Sequence, residues 1–155
     1  MTVSKIDGIG TRKDGSGGET ANKGSATKFV RLFLKASETV TRGDVVAFDF
    51  AASEPDSGYG NNIIAATTTA LSDACVGIAA ETLTVGSGEA DQPVLIQVGG
   101  LCDFATIDSG ATDGVAGVSN ASADIVDAAA HVDVPFCIIV KRTASTVYLL
   151  NPYNL

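Results

Sequence analysis

His131, the only histidine of the chain, is the residue whose type comes nearest to catalytic chemistry. It is close in sequence to Asp127 and Asp133, and a serine triad needs a histidine base between a nucleophile and an orienting carboxylate. However, the chain contains no Gly-x-Ser-x-Gly sequence that would present the nucleophile. We therefore interpret the two aspartates as solvated charges and predict that the protein is not an enzyme.

Three cysteines could in principle form a disulfide or bind a metal. Cys75, Cys102 and Cys137 are odd in number, far apart, and form no Cys-x-x-Cys pair, so we predict reduced thiols inside a core. Nor does a Gly-x-x-x-x-Gly-Lys-Ser/Thr phosphate loop occur. Two pairs of carboxylates lie in predicted loops, Glu54 with Asp56 and Glu89 with Asp91. Neither pair has the alternating ligands of a calcium site, so we expect neither metal nor cofactor.

Charge is distributed unevenly along the 155 residues, whose formal net charge is −8. Residues 1–42 hold eight basic and four acidic side chains and carry +4, whereas the rest, with two basic and fourteen acidic, carries −12. An acidic body repels nucleic acid and anionic membrane, so we expect neither as a partner. The basic segment would be attracted to an acidic protein surface or to phosphates, or would alternatively be a solvated tail without a partner.

Residues 1–26 are rich in glycine, serine and threonine and contain few large apolar side chains, so they cannot form a core by themselves. Stretched out at about 3.3 Å per residue, they would reach roughly 80–90 Å. We therefore predict an extended N-terminal arm over 1–26 and a single domain over 27–155. Neither a secretion signal nor a membrane span is indicated, and we expect synthesis in a cytoplasm.

The domain begins with a strict alternation of side chains over residues 28–35, which predicts a β-strand. The strand has an aliphatic face and an aromatic and basic face, which are Val30, Leu32 and Leu34 on the first and Phe29, Arg31, Phe33 and Lys35 on the second. The aliphatic face is expected to pack on the core. The aromatic and basic face suits a protein interface, where phenylalanine and arginine are common, or alternatively belongs to a central strand buried on both sides. Stacking of bases on this face is disfavoured by the acidic body.

Short apolar segments separated by turn residues predict the other strands. They lie at 45–50, 63–69, 75–85, 93–98, 101–107, 134–140 and 146–150, with a bulge expected at Gly99–Gly100. Segment 134–140 is apolar throughout, which predicts burial on both faces and a closing hairpin with 146–150. Residues 108–119 are predicted to be a loop and 120–131 one short helix. The pattern favours a mainly β protein, a small β-barrel or β-sandwich with at most one short helix and an extended N-terminal arm.

Three phrases occur in an order that resembles the capsid decoration, or cement, proteins of tailed bacteriophages. They are Gly43-Asp44-Val45-Val46, Val76-Gly77-Ile78-Ala79-Ala80-Glu81-Thr82 and Val94-Leu95-Ile96-Gln97-Val98-Gly99-Gly100. The resemblance covers roughly residues 40–118 and implies a small β-domain. The Gly-Asp-x-Val turn that commonly follows the third strand in that family has only a loose equivalent at 109–115, and the long glycine-rich arm is not a general family feature.

The resemblance implies a virion structural protein that binds the outer surface of a phage capsid and stabilises it. The implied partners are the major capsid protein and further copies of the chain, as a homotrimer or a dimer. The residues expected at capsid or subunit interfaces are Arg12, Lys13, Lys23, Phe29, Arg31, Phe33 and Tyr153. An alternative is an adhesin-like module of the phage tail or surface that contacts a host glycan or receptor through loops 53–62 and 108–119.

Overall fold

The computed structural model of the protein describes residues 27–49, 62–67, 74–129, 134–151 and 155. Almost all regular structure in these ranges is β-strand. The strands are β1 (Lys28–Leu34), β2 (Thr39–Val40), β3 (Val45–Phe48), β4 (Asn62–Ala65), β5 (Cys75–Ala79), β6 (Leu83–Thr84), β7 (Gln92–Cys102), β8 (Ala116–Ser119), β9 (Ile125–Asp127), β10 (Cys137–Lys141) and β11 (Thr146–Leu150). One turn of 3-10 helix, Arg142–Ala144, connects β10 to β11. The predicted mainly β class is confirmed.

Five strands form a closed barrel in the order β1, β4, β3, β5, β7. The barrel closes because β1 pairs with β7 in antiparallel register from Phe29 opposite Gln97 to Leu34 opposite Gln92. The pairing of β1 with β4 is parallel, whereas β3 is antiparallel to both of its neighbours. Closure removes two sheet edges from solvent. Of the two architectures predicted, the barrel is the one that forms.

The interior of the barrel is filled by apolar, mostly aliphatic side chains that alternate along the strands with outward-facing residues. We call this cluster the barrel core. Its buried members are Leu34, Val40, Val46, Phe48, Ile63, Ala65, Val76, Ala79, Val85, Val94, Ile96, Val98 and Ala123. The predicted inward positions on β1 and β7 are confirmed, since Val94, Ile96 and Val98 are buried and Val30 and Leu32 pack against the same cluster.

Strand β7 is long enough to belong to two sheets. Its first half is part of the barrel wall, and its last residues, Gly99–Cys102, pair with β11. The sheet continues from β7 through β11, β10 and β8 to β9. This outer sheet packs against the outward side of β3 and β5, so a second layer of apolar side chains is buried between the barrel wall and the outer sheet.

We call that second layer the outer core. It contains Val45, Ala47, Ala66, Ala74, Cys75, Ile78, Cys102, Ala105, Ala111, Ile125, Phe136, Cys137, Ile139, Val147 and Leu149. Strand β5 supplies both cores because successive side chains point to opposite faces of the barrel wall, and its pairing with β3 also contains a bulge. Ala47 faces Cys75 and Val46 faces Gly77, so Val76 is an extra residue in the ladder.

Three predictions of local structure are wrong. No helix forms over the described part of 120–131, where β9 lies instead. The Oδ1 atom of Asn120 accepts hydrogen bonds from the amides of Ser122 (2.8 Å) and Asp124 (3.0 Å), and Ala123 has a φ of 62°. This local hydrogen bonding turns the chain and competes with helix formation. The predicted loop 108–119 likewise ends in a strand, β8.

The third error concerns the apolar segment 134–140. Only one face of its strand is buried, since the alternate residues Cys137 and Ile139 belong to the outer core while Val140 is exposed, and Val134 before the strand is exposed as well. The strand itself begins at Cys137, after Pro135. The hairpin that joins this strand to 146–150 is confirmed by the β10–β11 pairing.

Predicted turns and bulges agree with the structure where it describes them. The amide of Asp44 donates to the carbonyl of Thr41 (3.0 Å), which closes the turn before β3. Near Gly99 the register between β1 and β7 shifts, and Gly100 has a φ of 80°. The strand then ends at Cys102 and does not continue to 107. The predicted arm, 1–26, lies outside the described residues.

Candidate docking surfaces

The outward face of β1 combines aromatic and basic side chains and is open to solvent. Phe29 is 45% exposed and Phe33 is 50% exposed, and the side chain of Arg31 is 60% exposed. The alternation of the strand places all three on the same side of the barrel. The sequence predicted this face, and the alternative of a strand buried on both sides is wrong for the described chain.

An ion pair fixes the middle of this face. The guanidinium of Arg31 lies 3.5 Å from Oε1 of Glu81, and the same carboxylate oxygen accepts a hydrogen bond from the amide of Leu95 (2.8 Å). Glu81 therefore links the segment after β5 to β7 and to the side chain on β1. Both partners are well exposed, so this pair orients Arg31 more than it stabilises the fold.

The outer sheet has one face on the outer core and one face in solvent. Leu101 of β7 is opposite Tyr148 of β11, which is opposite Ile138 of β10. Directly opposed residues share a face, so these three side chains form a row across the sheet. Leu101 is 48% exposed, and Leu150, two residues beyond Tyr148, is 44% exposed. We call Leu101, Ile138, Tyr148 and Leu150 the apolar sheet face.

Sequence reasoning did not identify the apolar sheet face. In the structure, the alternate residues Val147 and Leu149 are buried while Tyr148 and Leu150 are not. A run that is apolar on both faces, as from Val147 to Leu150, does not by itself show in the sequence which face is covered. The face opposite the core is buried when a sheet is packed on both sides, and it is open to solvent in this sheet.

The three thiols are all buried in the outer core, and none is in a disulfide. Burial raises the pKa of the Cys137 thiol to about 12, and negative charge on Cys75 or Cys102 would raise it further. Burial also raises the pKa of Cys102. Thiols of this kind are not nucleophiles near neutral pH. The predicted core location of the cysteines is confirmed.

Carboxylates gather at two places on the described surface. Asp124 has a raised pKa because it is partly buried and because Asp44 and Asp108 are nearby. At the barrel end, burial and the neighbouring Asp49 raise the pKa of Glu38, against the opposing effect of Lys35.

The second of these places is anchored by an ion pair. Lys35 donates to the buried Asp49 at 2.6 Å. Within the described ranges, no group of three or more histidine, cysteine, aspartate or glutamate side chains has a geometry that could hold a metal ion.

Several residues singled out by the sequence lie outside the described residues, so the structure does not place them. They are Arg12, Lys13, Lys23, His131 and Tyr153. Of the predicted interface set, the structure brings together Phe29, Arg31 and Phe33 on β1. None of the helical structure in the described part of the chain is long and apolar enough to cross a membrane.

Comparison with known proteins gives no relative for the chain. No protein-family model, no curated protein and no solved structure matches it.

Proposed function

We propose that the protein is a virion structural protein that binds the outer surface of a tailed-phage capsid and stabilises the assembled shell. Its partners are the major capsid protein and other copies of the chain, and it works by binding alone. The assignment to phage capsids depends on the sequence phrases of β3, β5 and β7. The assignment to protein binding depends on the surfaces described above.

The observation that carries the proposal is the apolar sheet face. Leu101 and Leu150 are nearly half exposed on a domain whose two cores are otherwise closed to solvent. Grouped apolar side chains on the surface of a small soluble domain usually mark an interaction site. Tyrosine at the centre of such a group suits a protein partner, because it has a large rigid ring and a polar end.

Charge supports a division of contacts, in which the basic arm reaches an acidic area of the partner and the acidic body contacts a different area. The body carries a large negative charge, so an acidic capsid would repel it, whereas Arg12, Lys13 and Lys23 lie in the basic segment that precedes β1. An extended arm can contact a subunit at a distance from the body. Several arms on one oligomer would make the later contacts intramolecular and increase the overall affinity.

Stabilisation of a shell requires only modest affinity at each site. A standard contact buries about 800 Å² on each partner, and much of the apolar gain is offset by the entropy of association and ordering. Repetition of the contact over many sites on a capsid then raises the free energy needed to swell or burst the shell.

The test is binding of labelled protein to expanded, undecorated capsids. Deletion of residues 1–26 should leave a folded oligomer whose capsid binding is weakened, because the arm contacts are lost while the domain is intact. Leu101→Lys should weaken binding through the apolar sheet face. The matched control is Thr143→Lys, which adds the same charge at an exposed position on the connecting turn.

Unchanged occupancy of the shell after deletion of 1–26 would refute the docking role of the arm. Binding to host cells without binding to capsids would favour the adhesin-like alternative and would contradict the proposal as a whole. Circular dichroism of each variant separates loss of binding from loss of fold.

A further inference from the structure

The backbone of β1 has two edges, and the hydrogen bonds of its neighbours show which residues face each edge. In β7, Leu95 donates its amide to Glu81 (2.8 Å) and accepts at its carbonyl from the amide of Ala80 (2.9 Å). Both groups of Leu95 therefore face away from β1. Residues directly opposed in an antiparallel pair exchange two hydrogen bonds or none. Arg31, opposite Leu95, must face away from β7 too.

A second hydrogen bond gives the same result from the other side. The amide of Lys35 donates to the carbonyl of Ile63 of β4 (3.1 Å), so Lys35 faces β4. Residues two, four and six positions back in a regular strand face the same edge. Arg31 and Phe29 thus direct their amides and carbonyls toward the β4 side of β1.

On that side, β1 is only partly paired in the described chain. Phe33 is opposite Asn62 and Leu34 is opposite Ile63, and the described pairing stops there. No described residue pairs with Phe29 or Arg31 on this edge. We call the two amides and two carbonyls of Phe29 and Arg31 the free edge.

The free edge carries charge, which usually discourages strand addition, but it is not blocked by proline. Within 28–32 there is no proline, and Lys28 and Arg31 are the charged residues. Glu81 already partly neutralises Arg31. The side chain of Phe29 beside the edge is exposed and apolar. An unpaired edge of this kind can accept another strand.

We infer that the free edge is a self-association site, at which the β1 strands of two copies lie antiparallel about a two-fold axis. The inference rests on the part of the proposed function that makes other copies of the chain a partner, and it names the strand through which two copies pair. With Phe29 of one copy opposite Arg31 of the other, the two copies exchange four hydrogen bonds. These bonds satisfy all eight groups of the two free edges.

Side-chain chemistry selects this register over its neighbours. Opposing Phe29 to Arg31 places each guanidinium beside an aromatic ring, which is a favourable cation–π arrangement. A shift in one direction would place the two Arg31 side chains opposite each other and involve Phe33, which is already paired with β4. A shift in the other direction would place Arg31 opposite Thr27, before the strand begins. A second copy therefore fits the edge better than an arbitrary extended segment.

The first test measures the full-length protein alone. Its mass in analytical ultracentrifugation should change from monomer to dimer with increasing concentration. In parallel, amide exchange followed by NMR should show Val30 and Leu32 protected at every concentration, because they face β7. Phe29 and Arg31 should become protected only as the dimer forms.

Variants at position 31 provide the second test. Arg31→Pro removes one edge donor but no hydrogen bond to β7, so the fold is retained, as proline is tolerated on strand edges. Loss of two intermolecular hydrogen bonds should weaken dimerisation roughly thirtyfold. Arg31→Gln keeps the amide and should weaken dimerisation only about fivefold, through loss of the two cation–π contacts of the dimer, which Arg31→Pro also removes.

Three results would overturn the inference. A monomer at about 1 mM, or a trimer as the smallest oligomer, would exclude a two-fold pair. Protection of Phe29 and Arg31 that does not vary with concentration would show that the edge is occupied within one chain. A dimer that Arg31→Pro leaves unchanged would use another surface. None of these measurements includes a capsid, so their failure would leave capsid binding, which has its own test, untouched.

Discussion

The barrel core and the outer core share strands β3, β5 and β7 but are built on different principles. The barrel core lies inside a closed ring of hydrogen-bonded strands, so the distance between opposite walls is set by the backbone. The outer core lies between two layers and is filled largely by small side chains, with Phe136 as its one buried aromatic residue. Its spacing is set by side chains, which can move.

The difference appears most clearly at two glycines. A Cβ atom added at Gly77 of β5 would overlap the backbone carbonyl oxygen of Gln97 on β7. A Cβ atom added at Gly117 of β8 would lie 2.7 Å from Sγ of Cys137 and 2.7 Å from Cγ2 of Ile125. In the barrel wall the obstacle is main chain, and in the outer core it is side chain. Closure therefore makes the barrel wall less tolerant of a larger side chain than the outer core is.

The largest effect is expected from Gly77→Ala. The new methyl group can be accommodated only if β5 and β7 separate, which would strain the closed ring, and we expect a loss of about 3 kcal/mol or more in the free energy of unfolding. Urea denaturation measures this loss. Gly99→Ala is the matched control on the same wall, because its Cβ would meet only Lys28 at 3.5 Å and Asn151 at 3.6 Å. A cost at Gly77 no larger than that at Gly99 would contradict the comparison.

An intermediate effect is expected from Gly117→Ala in the outer core, where we predict a loss of about 1–2 kcal/mol in the free energy of unfolding. Cys137→Ala should partly relieve it by removing the sulfur. The double variant should be more stable than the sum of the single effects by roughly 1 kcal/mol, measured by a double-mutant cycle. Strictly additive changes in the free energy of unfolding would mean that side chains do not set the distance between the layers of the outer core.

The smallest effect is expected from charges on the outer sheet. Asp113 accepts hydrogen bonds from the amide of Arg142 (2.7 Å) and from Nζ of Lys141 (3.2 Å), which lower the pKa of its carboxyl. Between this lowered pKa and the ordinary value of 3.8, the unfolded chain binds more protons than the folded one. The stabilisation is therefore complete above pH 3.8 and is lost as the pH falls through the lower value. Asp113→Asn should remove this acid-side loss from melting curves recorded between about pH 2 and pH 5.

Asp124 is expected to change the stability of the protein with pH in the opposite direction. Its pKa is raised, so the folded chain binds more protons between 3.8 and the raised value, and stability falls as the pH increases through that interval. Asp124→Asn should therefore make the protein slightly more stable above the interval and leave it unchanged well below. Variants of Asp113 and Asp124 with the same pH profile would exclude these assignments.

Structural features that depend on residues close together in the sequence were predicted. The alternation at Val30 and Leu32 identified both faces of β1, and the hairpin of β10 and β11 followed from two apolar segments joined by a short turn. The turn formed by Asn120 and Ala123 was missed, because alanine-rich composition suggests a helix while one asparagine side chain determines the actual path.

Contacts between distant residues could not be predicted. The pairing of β1 with β7 joins segments about sixty residues apart and closes the barrel, yet neither segment encodes its partner in a local pattern. The same limit applies to the candidate surfaces. The face of Phe29 and Phe33 was predicted from β1 alone, whereas the apolar sheet face exists only because β7, β11 and β10 assemble side by side.

The location of the cysteines gives the protein an internal reporter. Every thiol of the chain lies in the outer core, on β5, β7 or β10, and the barrel core has none. A thiol-alkylating reagent added under native conditions would therefore label the chain only when the outer sheet lifts from the barrel wall. The rate of labelling therefore measures how often the outer sheet separates from the barrel wall. It can be measured on the native sequence, both for the free protein and for the protein bound to a partner.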